Sequence, residues 1–201
     1  MSSKYFATVY DIVKPIATFL HPIRVEGLEN VPKEGPVLLC PNHSSNWDAI
    51  LLICALGREA NLQIMGKNQL FKIPILRTFL RKMGVFPVDR GHSDIGAVKR
   101  SIQALKDGFL LMVFPEGTRV RKKNRGARPK GGVAMMAIRA GAKLMPIYIG
   151  TKKRLFAKVP IIFGKPFTPA YTGRKGTVEE YQANADEVIR RAYELGGETW
   201  T

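Results

Sequence analysis

Short apolar runs alternate with longer stretches of helical periodicity along most of the chain. Runs of a few mainly apolar residues are typical of buried strands, whereas apolar residues spaced three and four apart indicate amphipathic helices. The runs predict strands at 37–40, 62–65, 85–88, 109–114, 145–149 and 159–163. The periodic stretches predict helices at 47–56, 69–82, 95–107 and 133–140, and a closing helix that begins at a capping box of Thr177 and Glu180. This alternation predicts a single α/β domain with a largely parallel sheet flanked by helices.

The first 22 residues carry an amphipathic pattern of their own. Their apolar positions predict a helix with one apolar face and a kink near Pro15: Phe6, Val9, Tyr10, Val13, Ile16 and Leu20. This face either lies in a lipid headgroup layer or packs on the protein core. Asp11 and Lys14 interrupt any apolar segment here, so we expect neither a signal peptide nor a membrane-spanning helix. We divide the chain into an amphipathic membrane-surface helix at 1–22 and one domain at 23–201.

Polar residues gather where four of the predicted strands end. The runs VLLC, LQIM, VFPV and LLMVF lead directly into the clusters PNHSSNWD, GKNQ, DRGHSD and PEGTR. In open α/β sheets the ligand crevice lies at the carboxyl ends of the strands, so we expect these clusters to converge on one site. The four clusters therefore hold the candidate functional residues.

The chain is strongly basic, with 32 Lys and Arg against 16 Asp and Glu and a net charge of +16. Six of the acidic residues lie after position 178, so residues 1–178 carry a net charge of +20. Such an excess attracts anionic lipid, nucleic acid or an acidic carrier protein. No nucleic-acid-binding motif is present, and no aromatic residues interleave the basic cluster at 119–130, so we expect no nucleic-acid partner.

The two cysteines, Cys40 and Cys54, lie in apolar surroundings. Because they show neither C-x-x-C spacing nor a neighbouring histidine cluster, they indicate neither a zinc site nor a disulfide, and a reducing compartment fits best. We expect no metal and no cofactor.

His43 and Asp48 form an H-x4-D pair in the first polar cluster. A five-residue step on a helix turns by about 140°, so the two side chains meet only if His43 precedes the helix and Asp48 lies in its first turn. A free imidazole, with a pKa of about 6.5, is mostly neutral at pH 7, and a carboxylate bonded to one ring N–H leaves the other nitrogen as a base. The pattern is short and common, so the pair alone more often marks a histidine that caps a helix beside a solvated aspartate, and its sequence context must decide.

The strongest predicted strand ends in F-P-E-G-T-R, residues 114–119. Gly117 lets a ligand approach the backbone, and Arg119 is suited to binding a phosphate through paired N–H bonds. The candidate binding residues of this sheet edge are Lys67, Arg90, Glu116, Gly117, Thr118 and Arg119. The alternative interpretation is that FPEGTR forms a turn with a solvated salt bridge and that the other basic residues are ordinary surface charges.

Four sequence blocks follow one another in the order NHSSNWD, GVFPVDR, FPEGTR and LMPIYIG. In order and spacing they resemble the blocks of the glycerolipid acyltransferases, and most closely those of bacterial 1-acyl-sn-glycerol-3-phosphate acyltransferases. The resemblance covers roughly residues 20–165, and four ordered blocks are far more specific than one. The matching positions outside the first block are Lys67, Arg90, Glu116, Arg119 and Pro146. The run RKKNRGARPK at 121–130 is more basic than the family pattern.

The resemblance implies direct acyl transfer. His43 would take the proton from the free hydroxyl of 1-acyl-sn-glycerol-3-phosphate (lysophosphatidic acid). That oxygen would attack the thioester of acyl-CoA or acyl carrier protein, forming phosphatidic acid. Lys67, Arg90 and Arg119 would hold the acceptor phosphate, and the glutamate and glycine of the FPEGTR block would shape the acceptor site.

An acyl transfer also needs donors for the oxyanion that develops in its transition state. The sequence does not identify these donors, although backbone N–H groups at the helix start near Ser44 and Ser45 are candidates.

A lipid acceptor resides in a bilayer, so an enzyme without a spanning helix must dock on the membrane surface. The apolar stripe and the basic body then favour interfacial binding over core packing for residues 1–22. We expect a peripheral protein on the cytoplasmic face of an anionic cell membrane. Two alternatives stay open: the same chemistry on glycerol-3-phosphate or another lysophospholipid, and a non-catalytic protein that binds anionic lipid or nucleic acid.

Overall fold

A computed structural model describes residues 4–33, 35–89, 94–120 and 128–200. Seven strands form one sheet in these ranges: β1 Ile23–Glu26, β2 Val37–Pro41, β3 Leu62–Lys67, β4 Val85–Val88, β5 Leu110–Met112, β6 Lys143–Ile149 and β7 Val159–Phe163. The α-helices of the same ranges are α1 Lys4–Leu20, α2 Trp47–Leu56, α3 Pro74–Lys82, α4 Ile95–Lys106, α5 Gly132–Ala140 and α6 Val178–Leu195. Short 3₁₀ helices lie at Leu28–Asn30 and Asn68–Lys72.

The sheet is largely parallel. Its strand order is β1-β7-β6-β2-β5-β3-β4, and in the described chain only the pair of β6 and β7 runs antiparallel. In the central strand β2, Leu39 pairs with Met112 of β5 and with Met145 of β6. The carboxyl ends of β2, β3, β4, β5 and β6 therefore share one edge of the sheet.

Helices cover both faces of this sheet. α1, α2 and α3 pack on one face, and α4, α5 and α6 pack on the other. β2 serves both cores because successive side chains of a strand point to opposite faces. Val37 and Leu39 join the core under α1 and α2, whereas Leu38 and Cys40 join the core under α5 and α6. The predicted α/β fold with a largely parallel sheet is confirmed.

The structure differs from the predicted elements mainly at two places. β1 was not predicted, because its residues alternate between half-buried and exposed and form no apolar run. The helix predicted at 69–82 is divided into a 3₁₀ helix and α3. The division occurs at Ile73, which is extended because Pro74 disfavours a helical conformation in the residue before it. The capping box of Thr177 and Glu180 is confirmed.

The amphipathic start forms α1, and its predicted apolar face lies mostly against the protein. Phe6 and Tyr10 are buried, and the Tyr10 hydroxyl donates to the Cys54 carbonyl of α2 at 3.1 Å. Val9 and Val13 pack against the same core. Core packing therefore accounts for most of this face, and the division into a surface helix and a domain stays a prediction. None of the helices in the described residues combines the length and the apolar character that crossing a membrane requires.

Candidate active site

Residues 42–46 connect β2 to α2 at the carboxyl edge of the sheet and form the centre of the candidate site. Asn42 anchors this connection, because its buried side chain bridges the backbone of Ile149 in β6. The Asn42 side chain accepts the Ile149 N–H at 2.7 Å and donates to the Ile149 carbonyl at 3.0 Å. The two bonds determine where the next residue, His43, leaves the sheet.

His43 precedes α2 and Asp48 lies in the first turn of that helix, as their spacing predicts. Nδ1 of His43 lies 2.9 Å from Oδ2 of Asp48. The same carboxylate oxygen accepts the backbone N–H of Ser44 at 2.6 Å and that of Ser45 at 2.7 Å. Because an ionised carboxylate only accepts hydrogen bonds, the proton belongs on Nδ1 and Nε2 is left as a base.

Lys153 binds the other oxygen of Asp48. Its Nζ lies 2.5 Å from Oδ1 of Asp48 and also donates to the Gly150 carbonyl at 2.6 Å and to Ser44 Oγ at 3.0 Å. Burial alone raises the pKa of Asp48. The hydrogen bond from His43, the charge of Lys153 and backbone N–H bonding outweigh burial, so the pKa of Asp48 lies below its usual value. The buried carboxylate is therefore ionised at neutral pH.

The FPEGTR loop holds His43 from the end of the neighbouring strand β5. The Phe114 ring stacks on the His43 ring, with centroids 4.0 Å apart and 25° between the ring planes. Oε2 of Glu116 accepts the His43 backbone N–H at 2.6 Å, and the Val120 N–H donates to the His43 carbonyl at 2.7 Å. Both backbone polar groups of His43 and one face of its ring are thus held by this loop.

Glu116 lies beneath the loop and not in an open site. It is 2% exposed, and its second oxygen, Oε1, accepts the hydroxyl of Tyr193 in α6 at 2.8 Å. Burial raises the pKa of Glu116 to about 7, although the bonds from Tyr193 and His43 oppose that rise. Because both carboxyl oxygens are engaged within the protein, the geometry favours an anchoring role over the expected contact with the acceptor.

Replacing Glu116 by glutamine tests the anchoring role. Because the pKa of Glu116 is about 7 in the folded protein against an ordinary value of 4.5, the folded state holds the proton more tightly. The contribution of Glu116 to stability therefore falls as pH rises from 4.5 through about 7, by roughly 3 kcal/mol. Glu116→Gln keeps an oxygen for the His43 N–H and, like the protonated acid, carries no buried charge. We expect it to avoid this loss.

Urea unfolding of both proteins at pH 4.5 and pH 8 measures the difference. Between the lower and the higher pH, the free energy of unfolding of the variant is expected to rise by roughly 3 kcal/mol relative to that of wild type. The variant is expected to keep its activity. An equal pH dependence of stability in the two proteins contradicts the buried, proton-binding anchor.

The remaining predicted ligands lie near the same edge, apart from one that the structure does not describe. Lys67 is the last residue of β3 and is exposed. In the loop after β5, Gly117 has a φ of 67°, a left-handed conformation that favours glycine. Thr118 is exposed and Arg119 is half-buried. Arg90 lies outside the described residues. In the described parts of the chain, no group of three or more His, Cys, Asp or Glu side chains could hold a metal ion.

The expected oxyanion donors are already engaged. The N–H groups of Ser44 and Ser45 both donate to Asp48, so these two candidates are not directed at an oxyanion. They instead fix the carboxylate against the ring of His43.

Two residues of the site were not predicted. Lys153 lies in the run TKKR, where nothing in one sequence distinguishes it from the exposed Lys152. Tyr193 lies on the buried face of α6, where the apolar spacing indicates only a core position. Both were missed because their polar partners come from distant parts of the chain.

The chain matches a family model, described as Acyltransferase, over residues 22–150. This range is more than half of the 201 residues and contains the His43–Asp48 pair and the FPEGTR loop. The chain belongs to the acyltransferase family. The resemblance that the four motif blocks indicate is thereby confirmed, and the acyltransferase match ends at residue 150, the last residue of the fourth block.

Acyltransferases from several organisms are similar to this chain over different lengths. The 1-acyl-sn-glycerol-3-phosphate acyltransferase of Bacillus subtilis (strain 168) is 29% identical over 188 residues, covering 91% of this chain and 92% of that protein. The chloroplastic 1-acyl-sn-glycerol-3-phosphate acyltransferase LPAT1 of Arabidopsis thaliana is 34% identical over 137 residues, 66% of this chain. The chain spans only 37% of the length of that plant relative.

A solved acyltransferase structure has the same fold. The crystal structure of PlsC, the 1-acyl-sn-glycerophosphate (LPA) acyltransferase from Thermotoga maritima, matches this chain with a TM-score of 0.72 and 29% sequence identity. The match covers 98% of this chain and 81% of that one. The structural similarity to PlsC therefore extends over nearly the whole of this chain.

Proposed function

We propose that this acyltransferase moves an acyl group from a thioester to the free hydroxyl of 1-acyl-sn-glycerol-3-phosphate, forming phosphatidic acid in phospholipid biosynthesis. The observation that carries the proposal is the buried carboxylate of Asp48 bonded to Nδ1 of His43, which leaves Nε2 as a base. The names of the Bacillus and Thermotoga relatives supply the acceptor. No nucleophilic side chain is required, because the acceptor's own hydroxyl is the nucleophile.

In the proposed mechanism His43 acts first as a base and then as an acid. Nε2 takes the hydroxyl proton while the acceptor oxygen attacks the thioester carbonyl, forming a C–O bond and a tetrahedral intermediate. Collapse of this intermediate breaks the C–S bond, and His43 returns the proton to the leaving thiolate. Asp48 stabilises the imidazolium that exists between the two steps. The products are phosphatidic acid and the free thiol of the donor.

Basic residues at the same edge of the sheet are the proposed ligands of the acceptor phosphate. Lys67 ends β3 and Arg119 follows β5, and these two strands are neighbours in the sheet. An arginine binds phosphate through paired N–H groups, and a lysine adds a compact positive charge. Arg90 is proposed as a third ligand on its motif position. Gly117 and Thr118, in the loop that holds His43, are proposed to border the acceptor.

Acyl transfer with purified protein tests this function. With 1-acyl-sn-glycerol-3-phosphate and either acyl-CoA or acyl carrier protein thioester, the protein is expected to form phosphatidic acid and release one thiol per product. Glycerol-3-phosphate and a lysophospholipid with a different headgroup serve as control acceptors. Transfer to a control acceptor alone would replace the proposed substrate, and absence of transfer to every acceptor with both donors would overturn the enzymatic proposal.

We also propose that the protein docks on an anionic membrane through an exposed apolar patch, called here the docking patch. It consists of five side chains that are between 57% and 70% exposed: Ile12, Ile16 and Phe19 of α1, and Leu155 and Phe156 after β6. The rings of Phe19 and Phe156 pack edge to face with centroids 5.4 Å apart. The Phe156 N–H donates to the Leu20 carbonyl at 2.7 Å, so the two segments form one surface.

The position and charge of the docking patch support a lipid surface as its partner. Phe156 follows Lys153 by three residues, and Lys153 binds Asp48, so the patch lies close to the candidate base. Exposed basic residues flank it in sequence: Lys152, Arg154 and Lys158. Basic side chains beside an apolar patch favour anionic headgroups, and the cytoplasmic leaflet carries the negative surface potential that they require.

Substitutions in the docking patch are expected to weaken membrane binding. In a Phe19→Ser, Phe156→Asn variant, two apolar rings are lost, and asparagine tolerates the left-handed φ of 61° at position 156. Flotation with anionic liposomes is expected to fall by at least about tenfold. The matched control is Ile95→Ser, which removes an exposed side chain from α4 on the other face of the sheet.

Retained binding by the control and lost binding by the double variant support the docking patch. Unchanged flotation of the folded double variant contradicts it. Deleting residues 1–20 is a poorer test, because the buried rings of Phe6 and Tyr10 would leave the core with them.

A further inference from the structure

We propose that Lys153 is a positioning residue of the His43–Asp48 pair, which holds the carboxylate in place and offsets its charge so that the His43 ring stays neutral before each turnover. This role rests on the proposed function, in which a neutral His43 takes the proton of the acceptor. It requires that Lys153 act through Asp48 and not on the substrate.

The contacts of Lys153 are all directed into the protein. The side chain is 5% exposed, and its ammonium has three oxygen partners within 3.0 Å. These partners are Asp48 Oδ1, the Gly150 carbonyl and Ser44 Oγ. An ammonium has three N–H donors, so these contacts use its full capacity. Lys153 is therefore not placed to bind the phosphate of a substrate.

The two oxygens of Asp48 have separate partners. Oδ2 accepts from the His43 ring and from two backbone N–H groups, whereas Oδ1 faces Lys153. Lys153 thus determines which way the carboxylate plane turns. Through its bonds to Ser44 and Gly150, it also ties the connection after β2 to the end of β6. Asp48 is held from both sides, and Oδ2 stays directed at Nδ1.

The charge of Lys153 matters because of what a buried carboxylate does to a neighbouring imidazole. A negative charge within about 4–6 Å favours the protonated ring, and a protonated ring is unable to act as a base. Lys153 lies against that carboxylate and offsets its charge. The hydrogen bond from Nδ1 to Asp48 remains, so orientation is kept while the pull towards imidazolium is reduced.

Ionisable groups of several elements surround His43 in the described chain. They are Asp48 in α2, Glu116 after β5, Lys153 after β6, and Tyr193 of α6 behind Glu116. Arg119 lies in the same loop as Glu116, next to Val120, whose N–H donates to the His43 carbonyl. Lys153 is the cation in direct contact with the carboxylate that binds the ring. Its removal therefore changes the charge next to the pair, while Glu116 and the loop after β5 stay in place.

The pH dependence of kcat/KM in Lys153→Met and Lys153→Gln tests the proposal. Methionine removes both charge and hydrogen bonding, whereas glutamine keeps an N–H donor for Asp48 and protects folding if the methionine variant is unstable. In both, the acid limb of the profile is expected to move to higher pH by about 1 unit, lowering the rate at pH 6 about tenfold. At pH 9 the rate is expected to lie much closer to that of wild type than at pH 6, and the loss that remains there measures the positioning of the carboxylate.

The matched control is Lys143→Met, which removes an exposed lysine at the far end of β6 and should leave the profile unchanged. Titration of the acceptor phosphate affects all variants equally and cancels in the comparison. A rate lowered by the same factor at every pH, with an unmoved acid limb, would mean that Lys153 acts only structurally and would overturn the proposal.

Ring NMR signals separate this test from the test of the proposed function. The His43 signal is assigned by its loss in His43→Ala and is followed against pH in wild type and in Lys153→Gln. A titration midpoint that rises in the variant supports the proposal even if no acyl transfer is detected. An unchanged midpoint overturns it even if the wild-type enzyme is active.

Discussion

His43→Ala is expected to form phosphatidic acid about 10²–10⁴-fold more slowly than wild type while keeping its fold. The substitution removes Nε2, the proposed base. It keeps the backbone N–H and carbonyl that bind Glu116 and Val120, so the loop after β5 stays attached. The lost side chain was 13% exposed, stacked on Phe114 and bonded to the buried Asp48, so a loss of about 1–3 kcal/mol in the free energy of unfolding is expected. Initial rates at saturating donor measure the effect.

Two further measurements make the His43→Ala result specific. Liposome flotation is expected to match wild type, because the docking patch is not altered. Thermal unfolding is expected to stay cooperative, with a midpoint lowered by the loss of the buried ring. Turnover close to the wild-type rate in the folded variant would rule out His43 as the base. A joint loss of turnover and folding would instead show that the ring is required for structure.

Asp48→Asn is expected to reduce both activity and stability, and for separate reasons. An amide lacks the negative charge that stabilises the imidazolium of His43, so the rate is expected to fall by about 10³–10⁴-fold. Stability is expected to fall by about 3–5 kcal/mol, because Lys153 is left buried without a counter-charge. The amide also has one accepting oxygen where four donors converge on the carboxylate. Urea unfolding and initial rates measure the two effects.

A double variant distinguishes the two effects of Asp48→Asn. In Asp48→Asn with Lys153→Met, no unpaired charge remains buried, so part of the lost stability is expected to return while activity stays low. Stability losses that simply add would show that the ion pair does not account for the cost. Recovery of activity in the double variant would contradict a catalytic role for the carboxylate.

The central strands could be predicted from the sequence because parallel strands covered on both faces are nearly continuous apolar runs. β1 gave no such run, since Ile23–Glu26 is an edge strand with alternating exposure. The direction of β7 could not be predicted from the sequence either, because an apolar run indicates that a strand is buried but not which way it runs. It pairs antiparallel with β6 through residues such as Tyr148 and Ile162.

The amphipathic start illustrates the same limit in a helix. Helical spacing predicted α1 and its apolar face, but the sequence does not tell which part of that face meets the core. Phe6 and Tyr10 pack inwards, whereas Ile16 and Phe19 stay exposed. The rotation of a helix about its axis is decided by its packing partner, which here is α2.

By itself, the sequence determined the alternation of strands and helices, the convergence of polar clusters at one edge, and the meeting of His43 with Asp48. Each of these depends on local spacing and on strand direction in a parallel sheet. Only the tertiary structure decided that Lys153 binds Asp48 and that Glu116 joins His43 to Tyr193. Such contacts join parts of the chain that lie far apart in sequence. The order of the strands in the sheet brings them together, and no local pattern of residues records that order.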